Sequence, residues 1–193
     1  MSENILLISD VMIKERTAIH GNIDPKLIYP DIKVAQDMYI LPIIGSALYK
    51  KLQDAINAGI WTGLDDYKIL IDKFIVDALI YYTLAELPTT ISYQFWNKGV
   101  VRKNGLDTEL PSMSELLDIS NKYKQRAEFY GNRLKLYLQQ NAAEKYKEYL
   151  QPGNGIDTVN PDQNTFTMPV YLGDDKCNPW CNPGGFSPKP YSE

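Results

Sequence analysis

The stretch Asp31–Gly59, DIKVAQDMYILPIIGSALYKKLQDAINAG, decides how this chain reads. Ile32, Ala35, Met38 and Tyr39 recur at three- and four-residue spacing and predict one apolar helical stripe. Pro42 has no N–H and disfavours helical geometry at Leu41, so the first helix is expected to end there. Gly45 permits a turn, and the Ser46 hydroxyl is placed to cap the next helix. Leu48, Tyr49, Leu52, Ala55 and Ile56 make its stripe, Lys50 and Asp54 an i,i+4 pair on its wet side, and Gly59 its C-cap. The product is a helical corner containing nothing chemically reactive.

Upstream, Ile5–Ile8 is a short apolar run, and Ser9 or Asp10 can cap a short helix through Val11–Arg16. Asp24 and Pro25 open a helical turn over Leu27–Tyr29, which Pro30 is expected to end. Downstream, Trp61 and Gly63 mark a turn. Asp65 is then the expected cap of a long helix to about Leu87, amphipathic at first and apolar nearly all round in ALIYYTLAEL. That makes it the central helix, closed by Pro88. ISYQFWNKGVVRKNG is rich in strand formers around an Asn97-Lys98-Gly99 turn and predicts a β-hairpin arm at about residues 91–105. From Ser112 or Ser114 a second long helix carries Leu116, Ile119, Tyr123, Ala127, Tyr130, Leu134 and Tyr137 inward, with a break near Asn141. Lys122, Lys124, Arg126, Glu128, Arg133 and Lys135 are its expected wet face.

At Gln151 the composition changes: seven of the 12 prolines and five of the 12 glycines lie beyond it. No helical or strand period runs through this part, so it cannot bury a face on itself. Its apolar residues nevertheless suit anchoring on a partner. The fold expected is therefore mainly α: a small helical bundle over residues 1–150 with one long C-terminal helix and a short hairpin arm, then an extended irregular tail over 151–193.

Composition limits function. An apolar fraction of 44% and a charged fraction of 23% are those of a globular protein, and 193 residues suffice for one domain with a substantial core. A net charge of −4 argues against a general nucleic-acid or anionic-membrane binder. No apolar run reaches the roughly 20 residues of a membrane span, and MSENILLISD lacks the basic start of a signal peptide. The 14 tyrosines against 5 phenylalanines fit either subunit contacts or a core with hydrogen-bonded hydroxyls.

Chemistry-bearing motifs are sparse. No phosphate loop, GxSxG elbow or HExxH occurs. His20 is the single histidine and reads as a loop or surface residue. Cys177 and Cys181 in CNPWC are half of a zinc ligand set, and free thiols are the simpler reading. Asp65-Asp66 and Asp174-Asp175 read as caps and solvated turns. Catalytic residues, cofactor and metal are accordingly all expected to be absent. Lys98, Arg102 and Lys103 form a basic group on the hairpin of an acidic chain.

The order IxxAQDxYIxPxxGxxLYxxL (Ile32–Leu52), a central apolar helix, NKGVV (Asn97–Val101) and a long Tyr-rich helix resembles the head–tail connector proteins of tailed bacteriophages, more specifically the adaptors beneath the portal. The resemblance covers roughly residues 5–150 and rests on packing motifs. It implies a non-enzymatic virion protein at the portal vertex, forming a homo-oligomeric ring, commonly a dodecamer, that continues the DNA channel and docks other connector or tail proteins. The portal protein is the implied partner, with non-specific contact to DNA in the channel and none to membrane. Lys98, Arg102 and Lys103 would then be portal or channel contacts. Phe166, Tyr171, Trp180, Phe186 and Tyr191 would anchor the tail to neighbouring subunits or connector proteins. A helical regulatory or nucleic-acid-binding module is the alternative, and a cofactor-free enzyme the third reading.

Overall fold

A computed structural model of the chain describes residues 5–96, 99–102, 111–153 and 158–162. Helix α1 (Asp10–Arg16) is capped by Ser9, whose hydroxyl accepts from the Met12 N–H. Helix α2 (Pro25–Ala35) starts at Asp24, whose carboxylate accepts from the Lys26 N–H, with Pro25 in the first turn. Pro30 does not end it. Lys26, whose carbonyl loses its bond to the proline, is exposed, so water can serve that oxygen.

Pro42 does not stop the chain's helical course either. Beyond α2 the helix widens into a π turn, π1 (Gln36–Ile40), and α3 (Leu41–Ile44) continues it to Gly45. The Leu41 N–H reaches back five residues to the Gln36 carbonyl. This re-registered turn brings Pro42 into the first turn of α3, where a missing N–H costs least. It also turns Met38 outward, 60% exposed, against the expected inward stripe.

Helix α4 (Ser46–Ala58) ends on Gly59 at φ 64°, the left-handed cap expected. Helix α5 (Asp65–Leu70) comes after the Trp61–Leu64 turn. Leu64, not Asp65, is the capping residue and bonds through no side chain; Asp65 and Asp66 instead lie in the first turn, where carboxylates suit the helix dipole. A second π turn, π2 (Ile71–Ile75), leads into α6 (Val76–Ser92). Pro88 sits inside α6: Thr89 Oγ1 donates to the Glu86 carbonyl and Ser120 Oγ to that of Ala85, holding the turns around it.

Residues Tyr93–Trp96 (β1) and Gly99–Arg102 (β2) pair antiparallel, Tyr93 opposite Arg102 and Trp96 opposite Gly99. An arm spanning 91–105 is not established by this pairing. Ile91 and Ser92 belong to α6, while 97–98 and 103–110 lie outside the described residues.

Helix α7 (Met113–Asn141) begins with a capping box: Ser112 Oγ accepts from the Glu115 N–H, and the Glu115 carboxylate accepts from the Ser112 N–H. It stops at Asn141, and a short α8 (Lys147–Leu150) comes next.

The fold is mainly α. Helix α6 is its centre, with Val76, Ala78, Leu79, Ile80, Tyr82, Thr83, Leu84, Ala85 and Leu87 all buried, and it packs most extensively on α7 and next on α2. Gly131 lets α7 approach closely, because a Cβ there would lie 2.9 Å from the Tyr82 hydroxyl. Ile119, expected inward, is 42% exposed. No helix among the described residues is long and apolar enough to cross a membrane.

Candidate functional site

The α3–α4 corner is held by the chain's own later residues. Gly45 has φ 78° and ψ 160°, a region essentially reserved for glycine. A Cβ on it would fall 2.8 Å from Pro161 Cδ and 3.3 Å from the Val159 carbonyl oxygen. Ser46 does not cap α4 with its hydroxyl; Gly45 is the capping residue. Instead the Ser46 N–H donates to the Val159 carbonyl (3.0 Å), and Ser46 Oγ accepts from the Val159 N–H (2.8 Å). The Asp162 N–H donates to the Pro42 carbonyl (2.9 Å), and Lys135 Nζ reaches Asp162 Oδ2 at 2.7 Å. Lys135 therefore leaves the expected wet face of α7: it is buried, 8% exposed, because its ammonium has a carboxylate to meet. Residues 158–162 thus form a strap on the bundle, and the compact unit runs to Gln163, past the composition change at Gln151.

Buried polar groups tie the helices together. Gln36, fully buried on π1, accepts from the Leu7 N–H (2.9 Å) and donates to the Ile5 carbonyl (3.0 Å) and to Tyr49. Tyr49 donates to Asp37, and burial, then that carboxylate, pushes its hydroxyl well above the usual range, against the opposing bond from Gln36. Tyr39 donates to Glu86 (2.6 Å), which with burial raises its pKa to about 12. Lys51 joins Glu148 and Tyr67, linking α4, α5 and α8. Burial alone would raise the Glu148 carboxyl, but hydrogen bonds from Lys51 and Tyr67 outweigh it and hold the carboxyl below its ordinary value. Asp31 is buried between α2 and α6. Thr90 donates to its Oδ1 while its Oδ2 has no partner among the described residues, and desolvation raises its pKa.

The outer face of α7 is different. Phe129 is 66% and Leu136 51% exposed, one i,i+7 step apart. With Phe74, Arg133, Tyr137 and Gln140 they line a groove of about 560 Å³. Its walls are ordered: Phe74 stacks on Tyr137 at 4.0 Å, and the Arg133 guanidinium lies over the Phe74 ring at 4.9 Å. Lys122, Arg126 and Arg133 are exposed and, among the described residues, none is in an ion pair. Chemically the face offers apolar contact and positive charge with no ion-pair partner among the described residues.

Of the residues singled out in the sequence, Arg102 ends β2 opposite Tyr93, while Lys98 and Lys103 lie outside the described residues. So do Phe166, Tyr171, Trp180, Phe186, Tyr191, Asp174, Asp175, Cys177 and Cys181. His20 is exposed and its Nδ1 accepts from the Asn22 N–H, a local turn bond. Asp66 pairs with Lys145 at 2.9 Å. Among the described residues no three His, Cys, Asp or Glu come together as a metal would need. Sequence reasoning passed over Phe129 and Leu136; their signal was two apolar side chains one heptad apart on an otherwise charged face. It also missed the strap, for which no local pattern exists.

No curated protein and no solved structure matches the chain. Residues 40–159 match a family model, a match that ends on the strap residue Val159 bonded to Ser46. The chain belongs to that family, DUF6712, described as a family of unknown function.

Proposed function

We propose that this chain is a structural subunit of a bacteriophage virion, a connector that forms a ring beneath the portal, continues the DNA channel and docks tail components. The single observation that carries the reading beyond the sequence resemblance is the outer face of α7: a largely apolar groove with exposed Phe129 and Leu136. Such a surface suits protein contact. In this reading the β1–β2 pair is the tip of an arm, with Lys98, Arg102 and Lys103 toward the portal or channel. Phe166, Tyr171, Trp180, Phe186 and Tyr191 hold neighbouring subunits or connector proteins. Copies meet head to tail through different patches, which closes into a ring where the rotation permits.

Electron microscopy of particles, or of the protein mixed with its portal, is the test. Density at the portal vertex is expected; absence of the protein from purified particles overturns the reading. Changing Arg102 and Lys103 to Glu is expected to leave the circular dichroism intact and reduce particle assembly or DNA retention. The cationic stripe Lys122, Arg126 and Arg133 favours one second reading, a nucleic-acid-binding module. That reading requires binding to DNA that weakens steeply with salt.

A further inference from the structure

We propose that the α3–α4 corner is a peptide-recognition site that takes an extended segment from a second copy of this chain as well as from its own. The segment it reads has a proline followed by an acidic residue. The break at Gly45 creates the site. In a continuous helix the Ser46 N–H would bond to the Pro42 carbonyl, four residues back. With Gly45 at φ 78° both groups turn to the strap instead: the Ser46 N–H donates to the Val159 carbonyl at 3.0 Å, and the Pro42 carbonyl accepts from the Asp162 N–H at 2.9 Å. Ser46 Oγ also accepts from the Val159 N–H at 2.8 Å. One serine thus reads both backbone groups of one residue, as a neighbouring strand would.

Backbone bonds of this kind fix register, and side chains supply selectivity. Pro161 is buried against Gly45, its Cδ 2.8 Å from where a Cβ would stand, so the corner has room for the ring only because residue 45 has no side chain. Proline suits the place, since it brings no N–H to be left unsatisfied there. Lys135 then meets Asp162 Oδ2 at 2.7 Å, with the ammonium buried in the bundle and the carboxylate largely exposed. The division is that of receptor and ligand: the cation is built into the body of the protein, and a short extended segment brings the anion.

A second copy is the occupant because it carries the same residues, 159–162, in the same order. None of the contacts is local. Val159 lies 113 positions from Ser46 and Asp162 lies 27 from Lys135, so the corner reads the segment itself and not its connection to the bundle. Occupancy from the same chain or from another differs in effective concentration, which favours a chain's own strap in dilute solution and lets a neighbour's compete where copies are held side by side. Exchange around a ring rests on the reading above; recognition of the segment does not.

The test uses the full chain. A variant with Val159→Pro and Asp162→Lys loses the N–H that Ser46 accepts and the charge that Lys135 meets; circular dichroism checks that it is folded. A fluorescent synthetic peptide with the sequence of residues 157–164 is expected to bind it saturably, and to bind the natural protein at least about tenfold more weakly because the strap is in place. Asp162→Asn or Pro161→Ala in the peptide is expected to weaken binding by about tenfold. A second measurement needs no peptide. Lys135→Glu and Asp162→Lys are made in separate chains, so that on mixing each strap finds the opposite charge only on the other copy. Light scattering is expected to show roughly double the mass of either variant alone, and both substitutions in one chain to return the mass of the natural protein. No saturable peptide binding by the folded variant, indifference to both peptide substitutions, or no gain in mass on mixing folded chains overturns the proposal. Strap exchange by a protein absent from particles removes the virion reading and leaves this site; incorporation without exchange does the reverse.

Discussion

Gly45 and Asp31 show how much can rest on one side chain, or on the lack of one. At φ 78° and ψ 160°, with Pro161 Cδ 2.8 Å from where a Cβ would stand, Gly45→Ala meets both a backbone and a steric penalty. We expect a loss of about 1–3 kcal/mol in denaturant unfolding. Asp31 works in the opposite sense. Desolvation, reinforced by Glu86 and opposed by Thr90, lifts its folded pKa above the ordinary 3.8. The folded state therefore favours the protonated form: its contribution to stability is full below 3.8 and is lost as pH rises through the raised value. Asp31→Asn mimics the neutral form. The variant is expected to match the natural protein near pH 3 and to exceed it at pH 7 by on the order of 1 kcal/mol. Equal stabilities at both pH values would show that the unpartnered oxygen costs nothing.

At the scale of elements, the helices were legible where the hydrophobic period and a capping residue agree: Asp24 opens a helix and Gly59 closes one as read, and of the paired alternatives Ser9 or Asp10 and Ser112 or Ser114 the caps are Ser9 and Ser112. The prolines misled. Pro30, Pro42 and Pro88 read as stops, yet each lies inside a helix, because hydration, a π turn or side-chain hydrogen bonds serve the carbonyls around it. Lys135 and Ser46 were misread for another reason: their partners, Asp162 and Val159, come from far along the chain, and no local pattern announces them. The candidate groove was half legible. Arg126 and Arg133 were placed on the wet face, but Phe129 and Leu136 fall between the spacings that define the buried stripe. Helix α8 offers a test of long-range pairing. The Glu148 carboxyl is held below its ordinary 4.5, so its stabilisation is present above that pH and lost as pH falls through the depressed value. Glu148→Gln is expected to be less stable than the natural protein at pH 7 and to converge with it on acidification, as thermal melts across pH 3–7 would report.

For the whole molecule, the sequence suggested a bundle complete at residue 150. The structure carries the bundle's contacts on through Asp162. Truncation after Leu150 removes both Ser46–Val159 bonds, the Asp162–Pro42 bond and the partner of buried Lys135. It is expected to lower the melting temperature by several degrees, whereas truncation after Gln163 is expected to leave it within a degree or two. Equal melts for the two truncations would mean the strap adds nothing. The surplus of tyrosine has a matching explanation at this scale: Tyr49, Tyr67 and Tyr146 are buried with hydroxyls bonded across helices, so they join elements as well as fill volume.

The strap also decides where mechanical load enters the protein. Tension applied to the chain beyond Asp162 meets the Asp162–Pro42 bond and the Lys135 ion pair before it meets any helix end, and the paired Ser46–Val159 bonds stand next in line. Force is divided between the α3–α4 corner and the middle of α7, two anchorages far apart in sequence. A pull on the C-terminal segment is thus resisted by several bonds at once, and the last turn of the bundle, at Leu150, is spared from peeling.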